Sequence, residues 1–477
     1  MPWLVILPPF FPDTAHDLTQ NVAHAAARRF SPGQSSTVHP SVLQWGMQKS
    51  LALAFALLFS CIAAAQPAPL PPDLTCRWSA QLTAARSGVA ETYTVPFDLD
   101  IERTSAGLRA ALLNGSDRIE FSSAAQQGSE VVLRLDQYDA ALTAHCTSGQ
   151  PACSALQGEY VRQRGDAAAH YALSAHCSRP PVADSPKPTD AAPSRFSIAA
   201  DWQFAFTDAS GKPDSEPTAP AHFTTDAHHV EGTIAPISGD YGMLAGAPAA
   251  GTDGEIHLSR FDGIHLLRLD GHFVSADRIE GIFHVAPGHP LSFVATRAAT
   301  AQGFEEAERL TSVENPSEPF RFHGLDSSGS AITQADPAFR GKVVLLDIFG
   351  TWCPNCHDEA PVLQSLYAKF HARGLEIVGL SYEYVDDTAR SQRLLGVYRR
   401  KYSIAFPLLL AGTTASGQIA ATLPQLRNFG AFPTTIFLDR RGRVRLIHAG
   451  FSGPATGRLE EVQQSFERTI VKLLDEE

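Results

Sequence analysis

Within "VVLLDIFGTWCPNCHDEAPVL", Val343 to Leu363, the run Cys353-Pro354-Asn355-Cys356-His357 fits two unrelated chemistries. Cys-x-x-Cys-His is the spacing at which c-type haem is attached, whereas Cys-x-x-Cys between a strand and a helix is a redox dithiol. The flanks favour the dithiol. Val343 to Phe349 is apolar except for Asp347, as in a strand buried on both faces. Gly350-Thr351-Trp352 turns the chain, and Val362, Leu363, Leu366 and Phe370 then recur at helical spacing until Gly374. Pro354 suits a first helical turn, where its missing N–H costs nothing. Cys353 is therefore expected at a helix N-terminus, where the dipole favours a thiolate by about 0.3–1 kcal/mol at exposed sites. That makes Cys353 the exposed, attacking sulfur and Cys356, one turn in, the less exposed resolving sulfur.

Haem would also need a chain free to wrap a porphyrin and a second axial ligand. All three methionines, Met1, Met47 and Met243, precede the motif, which leaves only a distal histidine. Zinc is disfavoured because no second cysteine pair accompanies the first. No metal is expected, and no cofactor beyond the redox-active disulfide Cys353–Cys356 itself.

The elements around this motif occupy only part of 477 residues. Met47-Gln48-Lys49-Ser50 opens a short basic segment, Leu51 to Ile62 is an apolar run, and Ala63-Ala64-Ala65 offers a small-residue cleavage site. Residues 47–65 therefore read as a secretory signal peptide, too short for a permanent membrane span. Residues 1–46 then read as a mis-assigned start or as disordered chain. Leu58-Phe59-Ser60-Cys61 loosely resembles a bacterial lipobox, although Phe59 is bulky for its place, so a lipid anchor at Cys61 is an alternative fate. Export implies the periplasm or cell envelope, where disulfides persist. The formal charge of −12 comes with no Lys/Arg cluster able to follow a phosphate backbone, which excludes nucleic acid as a partner.

Residues 76–298 read as all-β, with short alternating runs broken by Gly, Asp and Asn. Laid on itself, the segment repeats. Trp78 falls on Trp202 and Asn114-Gly115 on Ser238-Gly239; Tyr138-Asp139 falls on Phe261-Asp262 and Gly158 on Gly281, one residue closer. The pattern predicts two homologous sandwich- or barrel-like units, 76–178 and 196–298, joined by a Pro-rich linker at 179–195. In the first unit Cys146 and Cys153 flank a turn-rich loop and are expected to face each other. Cys76 opens the first strand and Cys177 ends the last, so a bridge there would tie the unit shut. His228, His229, His257 and His265 lack metal-ligand spacing and are expected on the surface or in loops.

Residues 313–477 resemble the TlpA/ResA group of thioredoxin-fold thiol–disulfide oxidoreductases. "FRGKVVLLDIFGTWCPNCHDEAP" is similar to that group's approach strand, active site and first helix, and "NFGAFPTTIFLDRRGRVRLIHAG" to its later strands. The resemblance implies an α/β thioredoxin-fold domain with an extra N-terminal hairpin. It implies that Cys353 is the nucleophile, Cys356 the resolving cysteine and Pro433 a cis-proline beside them. It further implies that Glu359 tunes the cysteines and that Asp347 stands where classical thioredoxins keep a buried acid. Trp352, Phe432 and Thr434 would line the substrate groove.

The activity so implied is reduction of disulfides in client proteins, with recharging by a membrane-bound thiol donor. A thiol peroxidase is a second possibility, although Gly350 stands where its motif has Thr or Ser. A third is an envelope binding protein whose β-units hold a partner or glycan. The β-units are expected to dock a client or restrict access to the dithiol, and no residue in them shows which.

Overall fold

In Cys76–Ala84 the side chains of Trp78, Ala80, Leu82 and Ala84 are buried while Arg77, Ser79 and Gln81 are exposed, the period-two pattern of a strand with one face on a core. Nine strands between Cys76 and Ser178 form one antiparallel sheet whose edges are Asp117–Glu120 and Ser123–Gln127. The sheet curls until its edges nearly meet. The Phe121 amide donates to Ala110 and the Ser122 amide to Arg134. Cys76–Cys177 and Cys146–Cys153 are disulfides, each with Cα atoms 5.8 Å apart.

Eight strands between Ala200 and Arg297 close into a complete barrel, with Ala200–Thr207 paired to both Pro213–Thr225 and His289–Arg297. Two of the aligned residue pairs share local geometry. The Trp78 and Trp202 indoles each donate to the carbonyl four residues earlier, Leu74 at 3.2 Å and Ile198 at 2.7 Å. Gly158 and Gly281 lie so close to the facing strand that a Cβ would sit 2.0 and 2.1 Å from a backbone oxygen. The two sheets close differently, however. Both edge strands of the first bury no side chain, so zipping them into a seam would remove little apolar surface from water.

The sheet and barrel pack into one body. Phe261, Ile264 and Leu266 of the barrel belong to the core of the first sheet. Asn114 exchanges both of its amide hydrogen bonds with the Phe261 backbone, at 3.0 and 2.9 Å. Tyr160 donates to the Gly263 carbonyl at 2.5 Å.

The third region alternates strand and helix. Its sheet runs Ala331–Thr333, His323–Leu325, Leu408–Thr413, Leu375–Glu383, Val343–Phe349, Thr434–Leu438, Val444–Ala449. Val343–Phe349 is parallel to Leu375–Glu383 and antiparallel to Thr434–Leu438, and all seven of its residues are buried. Helices α1 (Pro354–Phe370), α2 (Thr388–Tyr402), the short α3 (Gln418–Thr422) and α4 (Leu459–Asp475) complete the domain. Separate apolar clusters cover the two faces of the sheet. The hairpin His323–Leu325/Ala331–Thr333 extends one edge.

The computed structural model describes residues 71–84, 93–148, 152–165, 167–178, 196–226, 229–248, 254–286, 289–298 and 311–476. The expected signal peptide, Cys61, residues 1–46, the linker 179–195 and His228 lie outside them. Among the described residues no helix is long and apolar enough to cross a membrane, and no group of side chains is arranged to hold a metal ion.

Candidate functional site

Cys353 is the N-cap of α1, extended at φ −95° and ψ 112°, with Pro354 as the first helical residue. Its Sγ accepts from the Cys356 amide at 3.2 Å, so one of the helix's unpaired N–H groups is aimed at the sulfur. Cys353 and Cys356 form a disulfide with Cα atoms 5.3 Å apart. The Phe432–Pro433 peptide is cis, and the Phe432 carbonyl lies 3.6 Å from Cys353 Sγ. Thus the backbone before Pro433 stands directly beside the Cys353 sulfur.

Exposure differs from expectation. Cys356 is indeed the more buried, at 1%, but Cys353 itself is only 4% exposed. The Cys353 sulfur does not open onto free surface, and a turn from the barrel reaches the motif at Asn355.

Beneath the dithiol sit two carboxyls. Glu359, one turn after Cys356 on the same buried face of α1, accepts from the Thr435 hydroxyl at 2.7 Å. Asp347, on the central strand opposite Thr435, lies close enough to Glu359 for the Glu359 charge to raise it. Asp347 is 3% exposed and Glu359 1%, and Asp347 Oδ1 and Glu359 Oε2 are buried without a hydrogen-bond partner. Burial pushes both upward from the ordinary carboxylate range, and their proximity raises Asp347 further. Both acids are therefore biased toward their protonated forms.

The expected groove residues divide. Trp352 stacks on Tyr384 at 4.5 Å, meets Phe432 edge-on at 5.2 Å and donates its indole N–H to the Tyr382 carbonyl at 2.9 Å. Both Trp352 and Phe432 remain partly exposed beside the motif. Thr434 does not line an open groove. It is fully buried and its hydroxyl donates to the Ala431 carbonyl at 2.7 Å, which makes it a brace for the turn that carries Pro433.

His357, the haem candidate, has both ring nitrogens engaged: Nε2 lies 2.9 Å from the Thr351 carbonyl and Nδ1 2.8 Å from the Tyr402 hydroxyl. The carbonyl can only accept, so Nε2 carries the proton. Burial lowers the imidazole to about 3, so the ring is neutral. His257 and His265 are each paired to an aspartate, Asp270 and Asp262.

Glu383 was not foreseen. At the end of Leu375–Glu383 its carboxylate accepts from the Thr351 amide (3.1 Å), the Thr351 hydroxyl (2.7 Å) and the Ser381 hydroxyl (2.5 Å). It fixes the turn Gly350–Trp352 that delivers Cys353. Its place at the carboxyl end of a parallel strand, where open α/β sheets build their sites, was the available signal.

Residues 318–447 match the model of the AhpC/TSA family. Over 156 residues the chain is 31% identical to the thiol:disulfide interchange protein DsbE of Escherichia coli K12, covering 33% of this chain and 75% of that protein. Over 119 residues it is 29% identical to the thiol-disulfide oxidoreductase ResA of Bacillus thuringiensis subsp. konkukian, covering 25% of this chain and 60% of that one. A solved thiol:disulfide interchange protein from Chlorobium tepidum aligns with 34% of this chain and 99% of its own length, at 20% identity and a TM-score of 0.27.

Proposed function

Since the chain belongs, through its C-terminal third, to the thiol:disulfide interchange family that includes DsbE, it carries a thiol–disulfide oxidoreductase domain, and we propose that it works as an exported reductase of disulfides in cell-envelope proteins. The carrying observation is Cys353 capping α1 with the cis Phe432–Pro433 peptide 3.6 Å from its sulfur. The cap supplies the nucleophile. The peptide beside it offers backbone for a client strand to pair with.

The reaction starts from the dithiol. The Cys353 thiolate, favoured by the Cys356 amide and the helix dipole, attacks one sulfur of a client disulfide. A Cys353–client disulfide forms, and the departing client sulfur leaves as a thiolate that takes a proton. Cys356 then loses its proton to the Asp347–Glu359 pair and attacks Cys353, releasing the second client thiol. Two electrons have passed to the client, and Cys353–Cys356 is the disulfide seen in this structure. A membrane-bound thiol donor would run the exchange in reverse to restore the dithiol.

Insulin-disulfide reduction with dithiothreitol as donor tests the reading. Activity on insulin or on the disulfide of 2-mercaptoethanol that Cys353→Ser abolishes supports it; no activity on either with any donor supports a binding role for the β-units instead. Direction is tested by the reduction potential. The interval from thioredoxin to the strongly oxidising periplasmic enzyme is ~150 mV, or roughly 7 kcal/mol for two electrons. A value near the oxidising end would make this protein an oxidase.

The AhpC/TSA match favours one further reading, a thiol peroxidase. Against it, Gly350 holds the place three before Cys353, and the Thr351 hydroxyl is committed to Glu383. Peroxide consumption by the Cys356→Ala protein would support it.

A further inference from the structure

Between the barrel strands Val230–Ile234 and Leu244–Gly246 the chain leaves the barrel wall and forms a turn at Pro236–Asp240. This turn reaches the dithiol. Gly239 is seated against Asn355, the residue between Cys353 and Cys356 along with Pro354: a Cβ on Gly239 would lie 2.0 Å from Asn355 Nδ2 and 3.2 Å from the Phe451 carbonyl oxygen. Gly239 also has φ +134°, so both space and backbone require glycine there. On the other side, a Cβ on Gly450 would meet the Ile237 and Ser238 backbone at 2.5–2.8 Å. Gly450 is the residue whose amide donates to the Pro433 carbonyl at 2.8 Å.

Ser238-Gly239 therefore lies in the slot between the middle of the Cys-x-x-Cys motif and the segment that follows the cis-proline. A client strand reaching Cys353 would need that slot. The turn is fastened at two points. The Ser238 amide and hydroxyl both donate to the Glu216 carboxylate, at 2.8 and 2.7 Å, and the Gly453 amide donates to Asp240 Oδ2 at 2.6 Å. Cys353, at the head of the same motif, is 4% exposed.

We propose that the turn Pro236–Asp240 occupies the client groove of the dithiol and sets its specificity, admitting small disulfides and excluding folded or strand-like protein disulfides until the turn is displaced. This rests on the oxidoreductase reading but concerns access, not redox chemistry. The turn works by steric exclusion, the repulsive half of specificity.

The full-length reduced protein is assayed with insulin and with the disulfide of 2-mercaptoethanol. In parallel, Cys353 is alkylated with iodoacetamide and with a polyethylene-glycol maleimide. Two variants loosen the turn away from the dithiol: Glu216→Ala with Ser238→Ala, and Gly239→Leu. Both are expected to raise the insulin-to-small-disulfide rate ratio and the bulky-to-small alkylation ratio roughly tenfold or more, the double variant by losing both hydrogen bonds from Ser238 to Glu216 and Gly239→Leu by its clash with Asn355. The proposal is overturned if both ratios stay at the wild-type value in a variant whose circular dichroism is unchanged. Should Gly239→Leu fail to fold, the double variant decides. If the small disulfide is not reduced by any of the proteins, the oxidoreductase reading fails; the alkylation ratio still decides access.

Discussion

Asp347 and Glu359 are two buried carboxyls close enough for the charge of Glu359 to raise Asp347, with the Thr435 hydroxyl donating to Glu359. Neither acid is within reach of water at its unpartnered oxygen. Such a pair can take the Cys356 proton during resolution only when it has lost one of its own. Because burial raises both acids, resolution is expected to accelerate as pH rises through the pair's elevated titration. Glu359→Gln or Asp347→Asn should slow resolution by about 10–100-fold at neutral pH and flatten that profile. Stopped-flow decay of a preformed mixed disulfide, measured across pH, gives both numbers.

The same pair has a stability signature. Its acids titrate higher in the folded than in the unfolded chain, so the folded state holds more protons between the ordinary carboxylate range and the raised values. Stability it contributes at low pH is lost as pH rises across that window. Asp347→Leu should therefore narrow the gap in urea midpoint between pH 5 and pH 8. An unchanged gap would mean that the pair is already ionised in the native protein.

Glu383 holds the turn before Cys353 by three accepted hydrogen bonds. Glu383→Ala would leave the Thr351 amide and hydroxyl buried without a partner, at a cost of about 1–3 kcal/mol. Glu383→Gln, which keeps the shape and one acceptor oxygen, should cost less. Urea denaturation of the two variants gives the order, and equal losses would show that the carboxylate is not what secures the turn.

Cys76–Cys177 spans a sequence separation of 101 and Cys146–Cys153 one of 7. By unfolded-chain entropy the first should stabilise by ~4–5 kcal/mol and the second by ~2 kcal/mol, less any strain. Replacing each pair with serine and comparing denaturation midpoints tests the ranking.

Asp358, the second residue after Cys356, is raised to about 8 by burial and by the Asp240 carboxylate. Arg260, Asp117 and Asp262 also face it, and Lys401 and Tyr402 sense its charge. Asp240 is itself raised by burial and anchors the barrel turn to Gly453. As pH rises through about 8, ionisation of Asp358 is expected to set a second negative charge beside Asp240 across the junction. Alkylation of Cys353 by a bulky maleimide should thus rise above that pH by more than thiol ionisation explains, and Asp358→Asn should remove the excess.

What the amino-acid sequence determined here is local. Alternation of apolar residues sets the strands from Cys76 onward; a buried run, a Gly-Thr-Trp turn and Pro354 place Cys353 at the head of a helix. Those patterns depend on neighbours within a turn or a hairpin, so spacing alone reveals them. Pro433 is legible by resemblance, and Asp347 and Glu359 one by one, but not their proximity in the core. Tertiary structure decided the rest. The Glu383 brace joins residues 32 apart in sequence, and the Gly453 amide meets Asp240 across 213. In the sequence Gly239 marks only a tight turn, because nothing local distinguishes a glycine that spares its own backbone from one that makes room for Asn355.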